Sequence, residues 1–130
     1  MADLRDDWWT HDLGEHIDLD LPGIYEWRIG SESLYIGKSV RLRNRIREYP
    51  NNVRKLVAGK SYRKNKPNCF RDVHYELRAA HDGNIPVTVA VLENCASGDL
   101  NERERYWIAI RRSQAKQNGP RVLNATKEGK

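Results

Sequence analysis

Residues 23–37 read GIYEWRIGSESLYIG, so Tyr25 ends one triplet, Gly23-Ile24-Tyr25, and Tyr35 opens a second, Tyr35-Ile36-Gly37, with nine residues between the two tyrosines. A phenol titrates near ~10 and is a poor base at neutral pH unless a cation or a metal ion stands beside it. Cations follow at once: Lys38 comes directly after Gly37, and Arg45 eight residues after it. A carboxylate comes from further along. In the segment opened by Asp99, the apolar residues Leu100, Trp107 and Ile108 fall at i, i+7 and i+8, and Glu104 fills the i+4 position of that stripe. A charge aimed at a core needs a partner. Two partners suit it: an arginine in a buried ion pair, or Mg²⁺, which takes one or two carboxylates and completes its shell with water and substrate phosphate. Phenols, fixed cations and one inward carboxylate together describe a site for cleaving phosphodiesters, although either tyrosine taken alone also reads as a packed strand residue.

These residues need elements to position them. Ile24, Tyr25, Trp27 and Ile29 favour an extended strand, GSES supplies a turn, and LYIG returns, which lays the two triplets side by side on a hairpin. Ser39 is placed to cap a helix whose buried stripe is Leu42, Ile46 and Tyr49, and Pro50 is expected to stop it. A short helix from about Val53 to Ala58 and a Lys/Asn/Gly loop follow. Asn68 is a cap candidate for a helix carrying Phe70, Val73, Leu77 and Ala80, ended by Gly83. IPVTVAVLE is a strand with Pro86 near its start, Asp99 and Glu102 form a capping-box pattern opening a helix to about Arg112, and RVLN makes a short extended piece.

The chain of 130 residues fits one core, and 38% apolar against 32% charged residues calls for a compact one. No apolar run approaches the ~18–20 residues of a membrane span, and no basic-then-apolar leader opens the chain, so a cytoplasmic protein without a membrane partner is expected. Cys69 and Cys95 lack metal-binding spacing and read as buried thiols. The net charge of +5 hides an asymmetry. Residues 1–20 hold seven acids against Arg5, whereas Lys38, Arg41, Arg43, Arg45, Arg47, Arg54, Lys55, Lys60, Arg63, Lys64 and Lys66 face the single acid Glu48. A polyanion is the natural partner of that run, since a merely solvated helix face mixes its signs. Trp8 and Trp9 in the acidic leader can stack on bases, but an acidic arm repels phosphate, and folding back onto the domain is the preferred reading.

The order Gly-Ile-Tyr, Tyr-Ile-Gly, Arg45, Glu104 in RERYWI, and Asn124 after a turn resembles the GIY-YIG endonucleases over roughly residues 22–126. The stretch YIGKSVRLRNRIREY is most similar to the incision nuclease domain of the bacterial excision-repair protein, which shares the lysine after YIG and a tyrosine where other members carry histidine. RERYWI is closer to the intron-homing branch. The resemblance implies an α+β fold, a small three-stranded antiparallel sheet flanked by helices. It divides the chain into an acidic aromatic extension (1–21), a nuclease domain (22–126) and a polar tail (127–130).

By the same resemblance, Glu104 holds one Mg²⁺ or Mn²⁺, and Tyr25 positions or deprotonates the attacking water with Lys38 easing a partial phenolate. Arg45 neutralises the phosphorane, Tyr35 orients water or phosphate, and Asn124 braces the site. Tyr49 replaces the histidine that many members offer as general base. That leaves the task to Tyr25, or to His74, which lies beside an apolar stripe and reads first as a core histidine. Arg41, Arg43, Arg47, Arg54, Lys55, Lys60, Arg63, Lys64 and Lys66 form the expected DNA track. With fewer than ten residues after Asn124, a stand-alone restriction, phage or nicking enzyme is expected, as a monomer or a homodimer. The alternative is a non-catalytic DNA-binding module that keeps the nuclease fold.

Overall fold

A computed structural model of the chain describes residues 8–58 and 72–124. The fold is α+β. Its strands are β1 (Trp9–Asp12), β2 (Gly23–Ile29), β3 (Ser33–Ser39), β4 (Val87–Asn94) and β5 (Arg121–Val122), and its helices α1 (Leu42–Val57), α2 (Asp72–Asp82) and α3 (Leu100–Ala115). The order in the sheet is β1-β4-β2-β3-β5. The middle three strands are antiparallel, as expected, but the sheet is not three-stranded. β1 pairs parallel with β4, and β5 parallel with β3. The additions cover both open edges of the antiparallel core, where unpaired N–H and C=O groups would otherwise face water. WTHD is too short, and too poor in alternating apolar residues, to announce a strand, whereas β5 falls where RVLN is expected to make a short extended piece.

β2 is buried on both faces, because apolar residues occupy both parities of GIYEWRI. Tyr25, Trp27 and Ile29 join Tyr35, Val87, Val89 and Val91 under α1 and α2, while Ile24, Leu34 and Ile36 pack with Leu100 and Ile108 of α3. The tyrosine face of the hairpin therefore belongs to α1, and the isoleucine face to α3.

Two expectations about α1 are corrected. Ser39 Oγ accepts the N–H of Arg41 at 2.9 Å, yet Arg41 holds the N-cap position. Pro50 lies inside the helix, which runs on to Val57. An interior proline costs ~3 kcal/mol. Here Leu42, Ile46, Tyr49 and Val53 are all buried along one stripe that crosses the proline, and the packing they gain offsets it. In α2, Asn84 at φ 57°, not Gly83, takes the left-handed position after the helix, with Ile85 N–H donating to Ala80 O at 2.9 Å. Asn68 and Phe70 lie outside the described residues. The capping box at Asp99 does not form: a 3₁₀ turn, Ser97–Asp99, leads into α3, and no side chain caps its first N–H groups. α3 then continues past Arg112 to Ala115.

From Trp8 on, the leader folds back, as its charge suggested. Trp8 is buried edge-on to His81, with centroids 5.9 Å apart, and Trp9 packs on Trp27 at 5.4 Å. Asn94 fastens the segment by accepting from Asp18 N–H at 2.8 Å and donating to the carbonyls of Asp18 and Pro22. Among the described residues no helix is long and apolar enough to cross a membrane. Cys95 is half-buried rather than buried, and its thiol is pushed up by burial and then by the Glu93 and Asp99 carboxylates. Cys69 lies outside the described residues.

Candidate active site

Register explains why the two triplets end as they do. Tyr25 lies opposite Gly37 across the β2–β3 ladder, and a Cβ at residue 37 would sit 2.2 Å from both Cζ and Oη of Tyr25. Only glycine leaves room for the phenol to lie across the neighbouring strand. Gly23 is constrained alike, since a Cβ there would meet the Glu93 carbonyl at 2.4 Å and Leu42 Cδ1 at 2.8 Å.

The Tyr25 ring thus reaches α1. Its hydroxyl shares a 2.5 Å hydrogen bond with the hydroxyl of Tyr49, and the rings meet edge to face at 5.6 Å. Tyr35 stands 6.3 Å from Tyr49, measured between ring centroids. Arg45, one turn before Tyr49, holds its guanidinium over the Tyr49 ring at 5.3 Å from the centroid and pairs with Glu48 at 2.5 Å. Three phenols and one guanidinium converge. Tyr25 is only 1% exposed, and burial pushes its phenol up to about 12 against the pull of Arg45 and the Tyr49 hydrogen bond. Burial works against the charge of Arg45, but the Tyr25 and Tyr49 hydroxyls outweigh it and hold its pKa above the ordinary arginine value. At neutral pH the cluster is therefore a protonated phenol beside a fixed cation.

His74 packs against Tyr49. It is buried on α2, its Nε2 accepts from Asn52 Nδ2 at 3.3 Å, and its ring lies 5.5 Å from that of Tyr49. It supports Tyr49 from behind, which is the core-histidine role.

Lys38 and Glu104 form a second group. Lys38 Nζ donates to Glu104 Oε1 at 2.9 Å, with the lysine side chain 39% exposed and the glutamate 13%. Glu104 does point inward, but its partner is a lysine rather than an arginine. The cation beside Tyr25 is Arg45, not Lys38, because residues 37 and 38 face opposite sides of β3. The two groups thus meet the same end of β3 from opposite faces, the phenols under α1 and the carboxylate under α3. Asn124 braces the strand between them: its Oδ1 accepts from Ile36 N–H at 2.9 Å and its Nδ2 donates to Ile36 O at 2.7 Å, continuing the β5 pairing with a side chain.

A divalent cation fits this donor set only in one form. Among the described residues no three His, Cys, Asp or Glu side chains cluster as metal ligands, which does not suit a closed protein cage. One nearly buried carboxylate, with Oε1 on Lys38, suits a hard ion that keeps water and takes phosphate oxygens.

Two carboxylates escaped the sequence reading. The pairing of β2 with β4 slips between Ile24 and Tyr25, so that Ile24 faces Glu93 while Tyr25 faces Val91. This bulge turns Glu93 to the α3 side, in one row with Ile24 and Lys38, where it pairs with Arg103 and accepts from Trp107 Nε1 at 3.2 Å. Glu26, 1% exposed, accepts from Arg28 Nε at 2.7 Å and from Arg111 Nε at 2.6 Å. The signal for Glu26 was present in GIYEWRI: a strand apolar on both faces has no solvent side for its glutamate. Glu104 and Arg111 are seven residues apart on α3, so the Glu26 and Lys38 contacts fix the same helix face on the sheet.

Of the expected DNA track, Arg41, Arg43, Arg47, Arg54 and Lys55 are exposed along α1 and its entry, with Arg43 paired to Asp20 at 3.1 Å. Lys60, Arg63, Lys64 and Lys66 lie outside the described residues. No family model, no curated protein and no solved structure matches this chain.

Proposed function

We propose that the chain is a divalent-metal-dependent endodeoxyribonuclease of the GIY-YIG type, with that family's nuclease fold, hydrolysing DNA phosphodiester bonds through a site holding one metal ion. The observation that carries this reading is the seating of Tyr25 over Gly37 against Tyr49 and Arg45, which gives each end of the two triplets a physical task.

Arg45 binds the scissile phosphate and meets the charge that grows on its oxygens, an interaction worth most in the transition state. Tyr25, held protonated by burial, orients the attacking water by hydrogen bond, and Tyr49 fixes the direction of its hydroxyl. Tyr35 lines the same face. Glu104 would hold Mg²⁺ or Mn²⁺, which supplies charge neutralisation at the phosphate and the leaving oxygen when bound. Lys38 keeps Glu104 aimed, and Asn124 keeps β3 in place for both groups. The substrate phosphate has to reach both faces at the end of β3. The arginines of α1 give binding without sequence preference. A restriction, phage or nicking role, as a monomer or homodimer, completes the proposal.

Burial of Tyr25 and the engagement of Glu104 with Lys38 favour a second reading, a DNA-binding module without catalysis. A plasmid-nicking assay with Mg²⁺ and with EDTA, on the wild type and Glu104→Ala, separates the two. The nuclease reading expects nicking by the wild type with Mg²⁺ alone. A wild type that shifts DNA in a gel but never nicks it refutes that reading.

A further inference from the structure

A cavity of about 390 Å³ lies between β1 and α1, lined by Trp9, His11, Leu19, Arg43, Ile46 and Arg47 among others. Its size falls in the range of small-ligand sites. Trp9 and His11 are two residues apart on one face of β1, and their rings meet at 4.6 Å and 60°. Trp9 also packs against buried Trp27 at 5.4 Å, so the indole is anchored rather than loose. Across the cavity, Arg43 and Arg47 stand four apart on the same side of α1.

We propose that this cavity seats one nucleobase of a single-stranded nucleic acid, stacked on Trp9 and His11, with the adjoining phosphate on Arg47. The charges of the leader permit it. Asp20 is held by Arg43 at 3.1 Å, and Asp12 by Arg28 at 3.2 Å, whereas Arg47 is exposed and forms no ion pair among the described residues. Of the described leader carboxylates, Asp12 and Asp20 are thus engaged with arginines. Stacking on an aromatic wall accepts any base, and a guanidinium opposite supplies the anion site that a stacked base brings with it.

Position argues for the same occupant. Trp27 touches Trp9 at 5.4 Å and Tyr49 at 5.5 Å, so one indole links the cavity's wall to the Tyr25 cluster, and both border α1. A strand crossing α1 would engage both. The seat rests on the reading of the chain as a DNA-binding nuclease, and supplies the hold on a flanking nucleotide that phosphate contacts alone do not give.

The test is fluorescence anisotropy of a short labelled oligothymidylate in EDTA, with the full chain, as wild type, His11→Ala and Trp9→Ala. Each variant is expected to bind roughly 5- to 100-fold more weakly, the effect of one lost stacked base. A single abasic position moved along the oligonucleotide is expected to weaken wild-type binding by a similar factor at one place and to change nothing for His11→Ala. His11 is exposed, so its variant keeps the fold even where Trp9→Ala does not, and a thermal melt checks both. If the wild type binds and nicks DNA, but His11→Ala and every abasic position leave affinity within about twofold, the seat is overturned and the nuclease reading stands. A wild type without affinity for the oligonucleotide overturns the seat, and one that also fails to nick plasmid overturns both.

Discussion

Replacing Gly37 with alanine probes the contact on which the two triplets depend. The new Cβ would lie 2.2 Å from Cζ and Oη of Tyr25 and 2.7 Å from Cε1, where ordinary contact begins at 3.4 Å. The ring would have to retreat by more than about 1 Å, yet it is 1% exposed and tied to Tyr49 through a 2.5 Å hydroxyl pair. Over-packing of a filled core costs ~1–3 kcal/mol. Losing the hydroxyl pair adds about 1 kcal/mol. Gly37→Ala is therefore expected to destabilise by about 3 kcal/mol. Tyr25→Leu removes the three offending atoms, and in that background alanine at 37 should be neutral or gain ~0.5–1 kcal/mol, because glycine is the poorer strand residue. The assay is urea unfolding of the four proteins of the cycle, with the midpoints read at constant m-value. The reasoning predicts a coupling of roughly 3 kcal/mol. A coupling below about 0.5 kcal/mol, meaning that the two substitutions simply add, would refute the seating of Tyr25 over Gly37.

Three further outcomes follow from other parts of the molecule. Because burial raises the Tyr25 phenol from its ordinary value of 10.0 to about 12, its contribution to stability is complete below pH 10 and is lost as pH rises toward 12. Thermal melts across that window should show a fall that Tyr25→Phe reduces; equal falls in both proteins would remove the assignment. Glu26→Leu should cost about 3 kcal/mol, the low end for breaking a buried pair, since Arg28 can turn to water and to Asp12 while Arg111 is left in place. Adding Arg111→Leu should restore most of that loss, and a double variant no more stable than Glu26→Leu alone counts against the ion pair as the anchor of α3. Arg41→Ala and Arg47→Ala should each weaken DNA binding evenly across sequences and lower the slope of log affinity against log salt by about 1, whereas an unchanged slope would take α1 out of the DNA track.

Sequence alone determined the features set by local pattern. The hairpin, the strand of β4 and the inward carboxylate on α3 follow from periodicities of two and 3.6, which need no knowledge of the remaining chain. The clustering of positive charge on one helix was likewise visible, since charge adds up along a sequence. Tertiary structure decided what depends on two distant segments meeting. Pro50 stays helical because Val53 finds a core to extend, and WTHD becomes a strand because β4 has an open edge. The slip opposite Ile24 and Tyr25 sends Glu93 to the α3 face, and the alternation of Gly37 and Lys38 assigns Arg45 to the phenols and Lys38 to Glu104. Which cation neutralises which group is a matter of register across the sheet, and register is an energy shared between strands rather than a property of either one.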